Sequence, residues 1–390
     1  MTGNTVDSRA SRDGGLFRGL KSRPDFKAIA FVLAIAGSFL LLTTLLHMPH
    51  GPEHWSADLR TKYLSTRLPS QHDRIALVYV SESTMEPYAY LSPIDRVLLA
   101  NLVRAVDAAE PAVIGFDFII DRPTEPAKDE ALIAALRDAK SKVIVGAVDE
   151  PKVKAEGGQS YQAAYLAEVN RPVGHLHFDS KTSKLTISDH VIRQMADPRD
   201  HHEHPTSFAR RLVDTVGSYP EPKSTYISWL LKPWDGSQTF QSLPADAALG
   251  RSGPPLPLKE MLKGKIVLIG GHFQDRDQHL LPLSVVSDQR YPGLFVHAQI
   301  VAQLLDQRSL STLGLPLQLI VLALAAALGV WTGRRQRQIH LVAELLSVIG
   351  LVMLGILAFV YGNLILPYTG LLLTWLSGLA VGHYTRPGHA

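Results

Sequence analysis

Six charged residues stand where a parallel α/β sheet would gather them: Glu82, Arg96, Asp117, Asp121, Asp277 and His297. Glu82 follows the apolar run 75–80. Asp117 and Asp121 follow the run 112–116, and Asp277, with Asp275 close by, follows the run that ends at Gly270-Gly271. In an open parallel sheet, ligands sit outside the carboxyl ends of the strands. These acids, with Arg96 and His297, could therefore converge on one ligand-binding crevice. The competing reading is that each acid caps a helix or pairs an arginine, because structural ion pairs also use such charges. Asp95 is assigned to capping, as the partner of Ser92. Asp117 lies among Ile114, Phe116 and Phe118, which should partly desolvate it, so it needs a partner. Arg96 and loop amides are the candidates, and on that reading Asp117→Asn costs roughly 1–3 kcal/mol.

The histidines offer less. His201, His202 and His204 flank Glu203 in a polar loop, and adjacent imidazoles can reach one metal ion. No Cys and no spaced partner support such a site, so neither a metal nor a cofactor is expected. His175 and His177 share one face of an extended segment and read as surface residues. His272 and His279 flank the glycine turn and, if protonated, could meet an anionic ligand. Gly270-Gly271 lacks both the dinucleotide-binding glycine pattern and the P-loop lysine. No G-x-S-x-G elbow is present. A hydrolase would need an acid and a nucleophile in confident geometry, and none is found, so the chain is not expected to be an enzyme.

The elements that must position these residues are legible as periodicities. Residues 75–80 form a short apolar run rich in β-branched and aromatic types, the mark of a strand buried on both faces. From Ser92 and Pro93, the residues Ile94, Leu98, Leu102 and Val106 predict one apolar helix face, and Glu110-Pro111 stops the helix. Residues 112–116 repeat the strand pattern. Strand, helix, strand predicts a βαβ crossover, the seed of a parallel sheet. Further along, 129–139 reads as helix, 142–148 as strand, 172–178 with 184–188 as a hairpin, and 206–216 as helix. Residues 226–231 and 264–270 read as strands and 291–305 as helix.

The chain has 390 residues, no Cys and a formal net charge of +3. No basic stripe with interleaved aromatics points to nucleic acid. The apolar residues are unevenly placed. Residues 28–46 are uncharged, about 19 residues or roughly 28 Å as a helix, enough to cross a bilayer. Three more apolar runs, 313–333, 341–361 and 364–383, follow near the C-terminus. The expected organisation is a cytoplasmic tail over 1–27, a first span over 28–46, one external domain over 47–312, and three further spans. Arg9, Arg12, Arg18, Lys21, Arg23 and Lys27 precede the first span; Arg334, Arg335 and Arg337 fill the link between the second and third; Arg386 follows the last. Positive charge stays inside, so both termini are expected in the cytoplasm and 47–312 outside. Small residues recur every four positions at Ala30, Ala34 and Ser38, and at Gly378 and Gly382, a pattern that lets helices approach closely. Glu344 is expected at the membrane interface or paired with Arg334 or Arg335.

In order along the chain, several short motifs resemble those of the CHASE2 family of extracytoplasmic sensor domains. They are Ile75-Ala76-Leu77-Val78-Tyr79-Val80-Ser81-Glu82, Pro93-Ile94-Asp95-Arg96, Val113-Ile114-Gly115-Phe116-Asp117, Pro205-Thr206-Ser207-Phe208-Ala209, Gly264 to Gly270, and Pro292 to Ala298. Their order and spacing, with one span before and three after, carry the likeness. Two positions depart from it: Tyr90-Leu91-Ser92 replaces a usual Trp, and Leu281-Pro282 replaces a usual Thr-Pro. The resemblance implies a membrane-anchored α/β sensor domain, a mostly parallel sheet with flanking helices, on four transmembrane helices. Family members often carry a cyclase, kinase or phosphatase module after the last span, and here only about eight residues follow Gly382. The expected function is therefore to detect an external stimulus and pass it through the spans to a separately encoded cyclase, kinase or phosphatase. The rivals are an envelope scaffold that docks another envelope protein and a membrane enzyme using the acidic crevice. The bilayer and a second copy of the chain complete the expected partners, in the inner membrane of a bacterium with the domain in the periplasm or outside the cell.

Overall fold

The structure is a computed structural model and describes residues 30–38, 50–149, 159–179, 189–196, 203–287, 289–335 and 337–386. The chain divides into two compact units: residues 46–313 with 353–368, and residues 1–45 with 314–352 and 369–390.

The larger unit is built on six strands: β1 (His72–Val80), β2 (Val113–Asp117), β3 (Lys142–Ala147), β4 (Val173–His175), β5 (Phe240–Pro244) and β6 (Ile266–Gly271). They form one sheet in the order β4-β3-β2-β6-β1-β5, and every pairing is parallel. Successive side chains of a strand point to opposite faces, and both faces are covered. Ala76, Val78, Val80, Ile114, Phe116, Val267 and Ile269 enter one core. That core is closed by α1 (Arg96–Asp107), α2 (Pro126–Arg137) and α3 (Gln159–Val169). Ile75, Leu77, Val113, Ile266 and Leu268 enter the other core, closed by α4 (Phe208–Val216) and α5 (Gly293–Leu305). This is why the strands read as continuous apolar runs rather than alternating ones.

Several sequence expectations shift. The strands β1 and β2 are not neighbours, because β6 lies between them, with Ile266 opposite both Ile75 and Val113. The helix expected from Pro93 begins at Arg96, because Asp95 is itself the N-cap and accepts from the amides of Val97 at 2.9 Å and Leu98 at 3.0 Å. Of the hairpin expected over 172–178 with 184–188 only the first arm is described: in it Val173–His175 joins the sheet as a parallel edge strand, and Phe178, with Asp179, pairs with Gln194–Met195. Residues 184–188 lie outside the described residues. Residues 226–231 form no strand of the sheet. Two buried glutamines one turn apart on α5 hold that segment instead. Gln299 donates to the Leu230 carbonyl at 3.0 Å and accepts from its amide at 2.8 Å. Gln303 does the same for the Tyr226 carbonyl at 3.0 Å and the Ser228 amide at 2.7 Å. A side-chain amide has the donor–acceptor pair of a peptide group, so it can stand in for a neighbouring strand.

The smaller unit contains the helical residues 30–38, α6 (Leu315–Gly333), much of α7 (Arg337–Gly362) and α8 (Tyr368–Tyr384). Within it α6 and α8 meet backbone to backbone. A Cβ on Gly329 would lie 2.1 Å from the Trp375 carbonyl, and one on Gly378 would lie 2.1 Å from the Ala326 carbonyl. Gly333 and Gly382 meet one turn further along, as close-packed small-residue faces allow. The face of 30–38 that is covered is the one with Val32 and Ala36; Ala30, Ala34 and Ser38 are exposed. Glu344 pairs with His383 at 3.1 Å rather than with Arg334 or Arg335. Two helices among the described residues, Leu315–Gly333 and Leu341–Gly362, are long and apolar enough to cross a membrane by length and composition, against four expected spans. Of the expected first span only 30–38 is described, and the helix at the expected fourth has 17 residues, short of the roughly 20 a bilayer needs.

Candidate functional site at the strand ends

The carboxyl ends of β2 and β6 lie side by side, with Asp117 opposite Gly270. A Cβ on Gly270 would come within 2.8 Å of Leu294 and 3.3 Å of the Asp117 carboxylate, so the missing side chain is what leaves room for Asp117. The loop after β6 returns through Asp277, which has a positive φ of 51°. One oxygen of Asp277 accepts from the Gly293 amide at 3.1 Å, and the other lies 2.9 Å from His279. Gly293 opens α5, and any Cβ there would clash with the Asp277 carboxylate at 2.5 Å. A carboxylate at a helix N-terminus is stabilised by the free amides and the dipole. One turn along α5, His297 comes 3.9 Å from Asp117 and packs against Phe178 at 4.5 Å and Phe208 at 5.2 Å between ring centres.

These groups line a cavity of about 670 Å³. Of the six residues singled out in the sequence, Asp117, Asp121, Asp277 and His297 line it, whereas Glu82 and Arg96 do not. Glu82 accepts from the Gln274 amide and so ties down the loop after β6. Arg96 is buried, 3.6 Å from Asp129 and donating to the Arg122 carbonyl at 3.4 Å; its contacts are there and not with Asp117. Asp275 is exposed and outside the cavity. Asp121 is held in a two-point contact by Arg122, at 2.9 and 3.2 Å. Asp117 itself accepts no hydrogen bond from the described residues.

Three further histidines line the cavity: His177, His190 and His279. His175 and His177, expected at the surface, are buried, with His175 fully enclosed. Their stacked rings lie 5.7 Å apart, and His177 accepts from the Asp149 amide at 3.1 Å. The alternating pattern that places them on one face was visible in the sequence, but not that this face is covered. Arg290, at the exposed rim, was also missed. His272 lies outside the cavity, edge-on to Tyr79 at 5.2 Å. His201 and His202 lie outside the described residues. Among the described residues, no group of three or more His, Asp or Glu is arranged to hold a metal ion.

Burial sets the charge state of the central pair. It pushes Asp117 well above the usual carboxylate range, and the nearby Asp277 charge pushes the same way. Burial, aided by His175 and His279, pulls His297 down to about 3. At neutral pH the His297 imidazole is therefore uncharged, and Asp117 holds its proton to a higher pH than an ordinary carboxyl does.

The motifs that carried the likeness converge on this end of the sheet: Val113–Asp117 supplies Asp117, Gly264 to Gly270 the empty position beside it, and Pro292 to Ala298 both Gly293 and His297. Phe208 packs under Gly115, where a Cβ would lie 2.8 Å from its ring. The family comparison agrees. The CHASE2 domain profile matches residues 30–331, most of the chain, and the protein belongs to that family of sensor domains, which are extracytoplasmic and frequent in signalling proteins. No curated protein and no solved structure matches the chain.

Proposed function

We propose that this chain is a multi-pass inner-membrane sensor of a bacterium. Both termini lie in the cytoplasm, four helices cross the membrane, and the sheet domain, 47–312, lies on the outer side. It detects an external stimulus at the strand-end cavity and passes the change through its helices to a separately encoded cyclase, kinase or phosphatase. The observation that carries this reading is the CHASE2 match over 30–331 on a chain whose matched domain ends in a cavity at its strand ends. Two helices of sufficient length and apolarity and the lysine and arginine asymmetry around the apolar runs support the membrane placement. The reading is of a receptor rather than an enzyme: the described residues lining the cavity include no hydroxyl, thiol or amine side chain to act as a nucleophile beside His297.

Cross-linking in the native membrane followed by purification of the chain tests it. A cyclase, kinase or phosphatase in the eluate supports the proposal. Recovery of envelope structural proteins alone replaces it with a scaffold, and recovery of a second copy alone leaves the chain without an output and contradicts it.

A further inference from the structure

Asp117 and His297 are respectively 8% and 4% exposed at the side chain, line the cavity, and have no hydrogen bond among the described residues. The two lie 3.9 Å apart. Buried polar groups left unpaired cost free energy and call for an explanation. The other carboxylates of the cavity are already used: Asp121 by Arg122, and Asp277 by the Gly293 amide and His279. Asp117 alone is left for a ligand.

The surroundings say what kind of ligand. Asp277 is close enough for its negative charge to act on Asp117, so an anion placed at Asp117 would face two carboxyl groups, while a cation would be drawn to both. Phe118, Phe178 and Phe273 line the same cavity, and aromatic faces attract organic cations. The volume, about 670 Å³, is that of a site for a small organic molecule, much more than a bare ion fills.

We propose that this cavity, which rests on the reading above as the sensor's ligand site, takes a small organic amine whose ammonium group seats on Asp117 and whose hydrocarbon part lies against Phe178 and Phe273. An amine that meets Asp117 in its protonated form takes that proton if it enters as the free base, or displaces it to water if it enters as ammonium; one that meets the carboxylate enters as ammonium with no proton transfer. In each case the complex is an ion pair inside an aromatic enclosure, and the buried carboxyl gains the partner it lacks.

The test uses the full chain in detergent and three probes of matched size: 2-phenylethylamine, 2-phenylethanol and 3-phenylpropionate, each followed by calorimetric titration. The amine is expected to bind at least about tenfold more tightly than the alcohol, and the carboxylate not at all. Asp117→Asn should bring the amine down to the level of the alcohol. Should that variant fold poorly, Ile119→Lys serves instead: Ile119 is 46% exposed at the cavity wall, and a tethered ammonium there should weaken the amine about tenfold more than it weakens the alcohol. Binding of the alcohol or the carboxylate in preference to the amine overturns the amine assignment and leaves the cavity as a ligand site. Amine binding that neither variant alters also overturns the assignment. Failure of all three probes to bind removes the cavity as a ligand site, and the assignment with it.

Discussion

Asp117→Asn is the most informative perturbation of the fold as well as of the site. A buried strand-end carboxylate that anchors a loop through hydrogen bonds would cost roughly 1–3 kcal/mol to replace. Asp117 has no such bonds among the described residues, and His297 lies 3.9 Å away. Burial holds the folded-state pKa of Asp117 well above the ordinary carboxylate value of 3.8. Below pH 3.8 the group is protonated in both folded and unfolded chains, so it makes no difference to stability. As the pH rises, the unfolded chain gives up the proton first, and the folded state loses about 1.4 kcal/mol for each unit until the pH passes the folded pKa. Asparagine has a similar shape and no proton to lose. The variant should therefore be more stable than the natural chain at pH 7, with a higher melting temperature. At pH 3.5 the two should melt together. Differential scanning fluorimetry of the full chain in detergent at the two pH values reads the difference. A variant that melts lower at pH 7 would refute the reasoning and restore Asp117 as an ionised, hydrogen-bonded anchor.

Gln299→Leu orphans the amide and carbonyl of Leu230, both now paired at 2.8 and 3.0 Å, and should cost about 1–3 kcal/mol for each group left unsatisfied, read by chemical denaturation. Asp129→Ala strands the Arg96 guanidinium, only 3% exposed, and also removes the acceptor of the Thr124 amide and hydroxyl at 2.8 and 2.7 Å. A loss of about 3–5 kcal/mol is expected, and a loss below 1 kcal/mol would show that Arg96 finds water. In the smaller unit, Gly329→Val drives a side chain into the Trp375 carbonyl and should destabilise the packing of α6 on α8 by about 1–3 kcal/mol. Ala34→Val, on the exposed face of 30–38, should leave thermal unfolding in detergent unchanged.

The class of the fold was legible because strands covered on both faces announce themselves as β-branched apolar runs, as at Ile266–Gly271. The order of the strands was not, because periodicity carries no information on which strand lies between which others. The edge strand Phe240–Pro244 has few residues that mark it, whereas 226–231 looks more like a strand and is held by Gln299 and Gln303, a pairing visible only once α5 is docked on the sheet. At the site, position along the chain placed Asp117, Asp121, Asp277 and His297 at the right end of the sheet. It did not give side-chain direction. Arg96 follows its N-cap by one residue and turns toward Asp129, and Glu82 turns toward the loop at Gln274. The absence of a partner for Asp117 could not be read at all, since a lone acid after a strand looks the same whether it is paired or not.

The central claim is that the sheet domain meets the outside while the last helix ends in the cytoplasm, so that a stimulus on one side can be answered on the other. The chain has no cysteine, which makes single-cysteine labelling clean. Trp234, 74% exposed, lies in the sheet unit, and Tyr384, 89% exposed, at the end of α8. In spheroplasts of a bacterial host, a membrane-impermeant maleimide should label Trp234→Cys at once and Tyr384→Cys only after lysis. Labelling of Tyr384→Cys in intact spheroplasts, or of Trp234→Cys only after lysis, would contradict the account.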